Sequence, residues 1–398
     1  MKFSNRIYSV QESPIRKLVP LAERAEKRGK KIYYLNIGQP DIKTPKEFFE
    51  GINSFNEDVL EYCGSQGHPD LLNYFSEYYN EIGFDIDPED IVVTNGGSEG
   101  LLFAMMVLCD CGDEVLIPEP FYANYNSFAG SIGVNVNAFI TEADEGFHLP
   151  SKEYIESLIT DKTKAIIVSN PGNPTGTVFT EEEIRLLAEI AIEKDIFIIS
   201  DEVYREFIYN GSEFFSFLNV EEARERVIIV DSISKRFSSC GARIGCVASK
   251  NKDFIFEFMK LCQSRLCVST LNQIGAANLR NTPKEYLKNV ISEYNKRRNV
   301  LYSHLKRMDG VVCSEPEGAF YVIATLPVED TEDFIVWLLN DFDIDGETMM
   351  MAPAAGFYNK TGLGKDQVRI SYVLEAEALD RAMVILEEAL KVYPKRTN

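Results

Sequence analysis

"VDSISKRFSSCGARIG", residues 230–245, gathers four serines, Lys235 and Arg243 next to an apolar run. That run, "RVIIVDS" at 226–232, has the β-branched texture of a buried strand, so Ser232 falls at the strand's end and Lys235 just beyond it. Arg243 follows eight residues after the lysine. Serine hydroxyls and a guanidinium fork suit a dianionic phosphate. A lysine beside other cations and away from bulk water gives up its proton more readily than a free one, and becomes a nucleophilic amine able to form a Schiff base. A solvated lysine after a strand would account for "SK" alone but not for the pattern around it.

Outward from this stretch, short apolar runs alternate with helical patterns. "DIVVT" leads through "NGGSEG" into the helical "LLFAMMVL", and "DEVLIPEP", "KAIIVSN" and "IFIISDEVY" follow as strands. "TEEEIRLLAEIAIEKD" pairs Thr180 with Glu183 three residues on, a capping box that opens an amphipathic helix. The alternation predicts an α/β core with a mostly parallel sheet. Beyond about residue 285 the texture changes to a long charged helix, the strands "GAFYVIAT" and "VRISYV", and a final helix, "EAEALDRAMVILEEALKVY". The expected organisation is a large α/β domain over 46–284 and a smaller α+β domain built from 1–45 and 285–398.

Composition narrows the function. With 62 acidic against 41 basic residues and a net charge of -21, no basic stripe offsets phosphate repulsion, so nucleic acid is not an expected partner. No run of about 18 apolar residues predicts a membrane span, and "MKFSNRIYSVQESPIRK" has no apolar signal core, so a cytoplasmic location is expected. Eight scattered cysteines read as reduced thiols, and three isolated histidines leave no metal-ligand pattern, so no metal is expected.

In open α/β sheets ligands collect beyond the carboxyl ends of the strands. "TNGGSEG" sets Gly97, Ser98 and Glu99 between a strand and a helix N-terminus, where free N–H groups favour an anion; read alone it is equally a glycine-rich turn with Ser98 as N-cap. "SNPGNPTG" forms a rigid loop that holds the Asn173 amide. "ISDEVY" ends an apolar strand on Asp201, a carboxylate that is either desolvated and functional or satisfied by nearby N–H groups.

Taken in order, "LNIGQPD", "NPTG", "SDEVY", "SISKRFSSCGARIG" and "VRIS" resemble the class I and II aminotransferases, pyridoxal-phosphate enzymes of fold type I, from about Ile32 to the last helix. The resemblance implies a seven-stranded, mostly parallel sheet and pyridoxal 5'-phosphate as cofactor. By it, Lys235 would bind the cofactor covalently, and Asp201 would pair with the pyridine nitrogen. Tyr204 and Asn173 would hydrogen-bond the ring oxygen, and Tyr122 of "PEPFYANY" would stack on the ring. Ser98 with the backbone of Gly97 and Glu99 would join Ser232 and Arg243 around the phosphate. Tyr62 of "EYCGSQG" would reach the neighbouring subunit's phosphate, implying a homodimer.

For substrate, Arg369 of "VRIS" would grip the α-carboxylate, assisted by the backbone of Gly38 in "NIGQPD". Arg265 of "SRLCVS" would be the second arginine that dicarboxylate-specific members use. Two departures stand out: Ala242 occupies a position where many relatives carry a larger residue, and the stacking aromatic is a tyrosine. The implied activity is transamination between an amino acid, aspartate or aromatic, and a 2-oxo acid such as 2-oxoglutarate. A lyase acting at Cβ is the alternative on the same fold. A non-catalytic regulator would be expected to have lost Lys235 or Asp201, and both are present.

Overall fold

A computed structural model describes residues 2–397. Its strands along the chain are β1 (Lys31–Tyr34), β2 (Ile91–Thr94), β3 (Glu114–Glu119), β4 (Asn135–Ile140), β5 (Thr163–Ser169), β6 (Phe197–Asp201), β7 (Val227–Ser232), β8 (Gly245–Ala248), β9 (Tyr321–Thr325), β10 (Glu347–Met350), β11 (Ala352–Pro353) and β12 (Gln367–Ser371). Seven of them make one sheet in the order β2-β8-β7-β6-β5-β3-β4. Its pairings are parallel except for the two that β8 makes, with β2 and β7. β2, β7 and β8 are buried at every position, as expected of strands covered on both faces by helices. The expected α/β fold with a mostly parallel seven-stranded sheet is therefore observed.

β4 is absent from the sequence reading. It is one of the sheet's two edge strands, and its "NVNAFI" keeps polar side chains at least partly exposed instead of forming an apolar run. The helix after β2 also differs from its simplest reading. It spans Gly96–Leu108 with Asn95 as N-cap, so Ser98 lies in the first turn and caps nothing. The cap role falls partly to Glu99, whose carboxylate accepts the Asn95 N–H at 2.8 Å. The capping box on the helix Glu181–Glu193 forms as expected: Glu183 N–H donates to Thr180 Oγ1 at 3.2 Å, and Thr180 N–H to Glu183 Oε2 at 2.8 Å.

A second group of strands lies outside this sheet. β11, β12 and β9 form an antiparallel sheet, and β1 pairs with β10 in parallel. The helices Glu285–Leu305 and Ala376–Val392 pack together beside them. Their apolar core runs from Leu18 to Leu35 and from Val290 to Tyr393, but it also takes in Tyr204, Phe207 and Tyr209. The chain just beyond Asp201 thus leaves the central sheet and is anchored in the second core, which fixes where Tyr204 stands.

Candidate active site

β2, β5, β6 and β7 point their carboxyl ends the same way, since β8 alone runs against its neighbours. A cavity of about 640 Å³ opens there. Its walls include Gly38, Gly97, Ser98, Tyr122, Asn173, Asp201, Tyr204, Ser232, Lys235, Arg243 and Arg369, drawn from segments more than 300 residues apart. Most of the residues singled out in the sequence are therefore brought to one place.

β7 ends in a single helical turn, Ile233–Arg236, capped by Ser232, whose Oγ accepts the Ser234 N–H at 3.1 Å. That turn lifts Lys235 over the sheet edge, where its Nζ donates to the Gly38 carbonyl at 2.7 Å. No carboxylate is within ion-pair distance of Lys235 among the described residues. The chain then reverses through Arg243, whose φ is 54°, and returns as β8. The return is tight: a Cβ on Gly245 would lie 2.7 Å from Gly96 C and 2.8 Å from Gly97 N. Gly96 itself has φ +72°, and a Cβ there would sit 2.5 Å from Arg243 Nη2. Arg243 is thereby laid across the open N-terminus of the helix Gly96–Leu108, and among the described residues its partners are carbonyls, Cys240 O at 3.1 Å and Asn95 O at 3.4 Å. Free amides, a guanidinium without a counter-charge and the Ser232 and Ser234 hydroxyls make an anion cradle sized by glycines.

Asp201 closes β6 with 5% of its surface exposed. Its Oδ2 accepts the Tyr125 hydroxyl at 2.8 Å. Burial outweighs that hydrogen bond and pushes the carboxyl up to about 6. Such a carboxylate calls for a cationic partner, which no described side chain supplies by direct contact. Tyr204 and Tyr321 share a hydrogen bond of 2.8 Å between their hydroxyls. Arg369, 1% exposed, donates to Asn173 Oδ1 at 3.1 Å and to Asn36 O at 2.5 Å, while its Nε is buried without a partner. Desolvation lowers its pKa from the ordinary arginine value. A buried guanidinium with no carboxylate is costly unless a ligand supplies one.

Two expected residues, Arg265 and Tyr62, stand outside this cavity. Arg265 does not reach this cavity: its Nη2 donates to Val93 O at 3.1 Å and its Nε lies 3.4 Å from Glu99 Oε1, so the acidic side chain in the first turn of the neighbouring helix holds it back. The side chain of Glu99 is engaged in that pair and in its bond to Asn95, while its backbone amide, the group expected at the phosphate, stands in the first turn of the helix Gly96–Leu108. Tyr62 is 79% exposed and away from its own chain's cavity. The sequence reading had also passed over Tyr125, Tyr321, Ser234 and Arg16. Tyr125 had a signal, since it sits one helical turn after Tyr122. Tyr321 had none, because a tyrosine in "GAFYVIAT" reads as an ordinary strand residue.

The comparisons agree with this geometry. The family model "Aminotransferase class I and II" matches residues 30–386, and the chain belongs to that family. It is a pyridoxal-phosphate-dependent aminotransferase. It is 34% identical over 393 residues to a (5-formylfuran-3-yl)methyl phosphate transaminase of Methanocaldococcus jannaschii, covering 97% of this chain and 99% of that protein. It is 29% identical to an aspartate aminotransferase of Bacillus subtilis, covering 96% and 97%. In structure it resembles a double mutant of the Thermus thermophilus aspartate aminotransferase, with a TM-score of 0.89 at 27% identity over 98% of this chain and 100% of that one. The cavity's own chemistry fits the cofactor. A glycine-lined anion cradle suits the phosphate, a buried carboxylate without a cation suits the pyridine nitrogen, and an amine without a counter-ion suits the aldehyde.

Proposed function

We propose that this aminotransferase takes an aspartate or aromatic donor and returns its amino group to a 2-oxo acid such as 2-oxoglutarate. The observation that carries the reading is Arg369, a buried guanidinium that has no carboxylate partner among the described residues and shares a cavity with Lys235. Bound in that cavity, pyridoxal phosphate supplies an electron sink that makes loss of the substrate's Cα proton feasible. The rest is work for this chain's side chains. Arg369 holds the α-carboxylate with a two-pronged contact, steadied by Asn173, and the Gly38 backbone assists. Lys235 Nζ would take the proton from Cα as general base and then deliver it, as general acid, to the carbon that carried the cofactor's aldehyde. Asp201 keeps the pyridine nitrogen protonated. Tyr204 and Asn173 orient the ring through its oxygen, and Tyr122 covers its face. Ser98, Ser232 and Arg243, with the amides of Gly97 and Glu99, hold the phosphate.

The same reading divides the chain at 46–284 from 1–45 plus 285–398, so that the substrate lies between the two parts. It makes the protein a cytoplasmic homodimer in which Tyr62 serves the neighbouring subunit's phosphate. The run Val59, Leu60 and Tyr62, each more than half exposed, supports a subunit contact there. Incubating the purified protein with 2-oxoglutarate and each of aspartate, tyrosine, phenylalanine and alanine, and measuring the keto acid formed, tests the donor. Turnover is expected with aspartate or an aromatic donor. Turnover with alanine alone would overturn the substrate reading.

A further inference from the structure

The hydroxyls of Tyr204 and Tyr321 meet at 2.8 Å, and either oxygen can be the donor of that bond. Both residues are buried and both line the active cavity. Burial holds the Tyr204 hydroxyl well above the ordinary tyrosine value, so it stays neutral and keeps its proton to donate. Two hydroxyls carry two protons, and the bond between them uses one. Neither oxygen has a further hydrogen-bond partner among the described residues, so one proton of the pair finds no acceptor in the protein.

Tyr321 is held from several sides. It opens β9 and pairs there with Ser371 of β12, the strand that carries Arg369. The Arg369 guanidinium lies between two rings, its Cζ 4.6 Å from the centre of Tyr321 and 4.9 Å from that of Phe357. Gly38 leaves room for the Tyr321 oxygen, since a Cβ there would lie 1.8 Å from it, and the carbonyl of the same glycine accepts Lys235 Nζ at 2.7 Å. The Tyr204 ring meets the Tyr321 ring edge-on, with centroids 5.5 Å apart and planes at 83°. One side chain thus touches the arginine expected at the α-carboxylate, the glycine that anchors the lysine and the tyrosine expected at the cofactor's ring oxygen.

We propose that Tyr321 is a positioning residue that acts on the cofactor through Tyr204: its hydroxyl donates to Tyr204 Oη and so commits the Tyr204 proton to the cofactor's ring oxygen. This rests on the assignment of Tyr204 to that oxygen given above. The direction follows from the count of protons. Tyr204 has one to give, and if the ring oxygen receives it, the 2.8 Å bond must be donated by Tyr321. A hydroxyl that accepts a hydrogen bond donates a stronger one in turn. The ring oxygen is then held more firmly as an anion, and the nitrogen of Lys235, once joined to the carbon beside it, binds its proton less tightly.

The test is a pH titration of the cofactor-loaded protein, read from the visible absorption of the bound cofactor, in the parent, Tyr204→Phe, Tyr321→Phe and the double variant. Both single changes should move the midpoint upward. Tyr321→Phe should do so by roughly half a pH unit, about a threefold change in proton affinity, and Tyr204→Phe by more. The double variant should match Tyr204→Phe alone, because Tyr321 has no other path to the ring oxygen. A midpoint unmoved in Tyr321→Phe but raised in Tyr204→Phe would overturn the proposal and leave the reading of Tyr204 standing, whereas no movement in either would overturn both. Additive shifts in the double variant would also overturn it, by showing that Tyr321 acts without Tyr204. Calorimetry with butyrate at a pH below every midpoint checks the cavity, since its one carboxylate reports on Arg369. Phenylalanine keeps the ring beneath that guanidinium, so the affinity should be unchanged in Tyr321→Phe; a loss would trace the spectral shift to a disturbed cavity and defeat the relay.

Discussion

Asp201 shows how a single residue carries both a cost and a function. With the cofactor removed, burial pushes its carboxyl up to about 6, above the roughly 3.9 of an unfolded aspartate. A carboxyl whose folded pKa is raised contributes stability below the unfolded value and loses it as pH rises through the folded one. The cofactor-free protein should therefore lose roughly 3 kcal/mol between about pH 4 and pH 6 on this account. Asp201→Asn should remove that loss, so that its melting-temperature advantage over the parent grows across this interval. Parallel melting curves at every pH would count against it. In the loaded enzyme the same variant should turn over several orders of magnitude more slowly, because an amide cannot keep the pyridine nitrogen protonated. Gly38 is a second residue with a sharp expectation. A Cβ there would lie 1.8 Å from Tyr321 Oη, so Gly38→Ala must displace the ring that hydrogen-bonds Tyr204. A drop in kcat/KM of about 100-fold with unchanged circular dichroism is expected for a misplacement of that size. Parent-like rates would show that the tyrosine pair is not needed for turnover.

Among the elements, the helix Glu181–Glu193 is held by more than its own box. Glu183 accepts the Thr180 and Leu149 amides and pairs with His148 Nδ1 at 3.0 Å, tying the helix start to the loop before residue 150. Thr180→Ala removes one cap and should cost about 1 kcal/mol in urea unfolding. Glu183→Ala removes all three contacts and should cost more; equal losses would mean that the loop contacts add nothing. Behind the active site, β6 and β7 hang on a buried network in which Asp231 Oδ2 receives Arg236 at 2.6 Å and Arg205 at 3.3 Å, while Arg205 also forks onto Glu202. That network satisfies the arginine next to Lys235 without drawing on Lys235 itself, whose amine donates to the Gly38 carbonyl.

For the molecule as a whole, the expectation with most reach is the shared site. If Tyr62 serves the partner's phosphate, mixing Tyr62→Phe chains with Lys235→Ala chains yields heterodimers with one site carrying both defects and one carrying neither. Activity should rise above either parent after subunit exchange. A monomer by light scattering, or exchange without recovery, would defeat the idea.

The sequence by itself determined the α/β class, because buried parallel strands need continuous apolar runs such as "RVIIVDS" and "IFIISD". It also located Asn173, Asp201 and Lys235 at or just beyond the ends of apolar strands, while the roles expected of them came from the resemblance to the aminotransferases. It did not reveal β4, whose edge position tolerates a polar, helix-neutral sequence. The partners that only long-range packing brings together were beyond it as well. Tyr321 meets Tyr204 across 117 residues and Asn36 meets Arg369 across 333. Arg265 looked suited to the substrate until folding set it beside Glu99. Spacing along a chain specifies which face of an element a side chain occupies. Which faces then confront one another is decided by how the two cores pack.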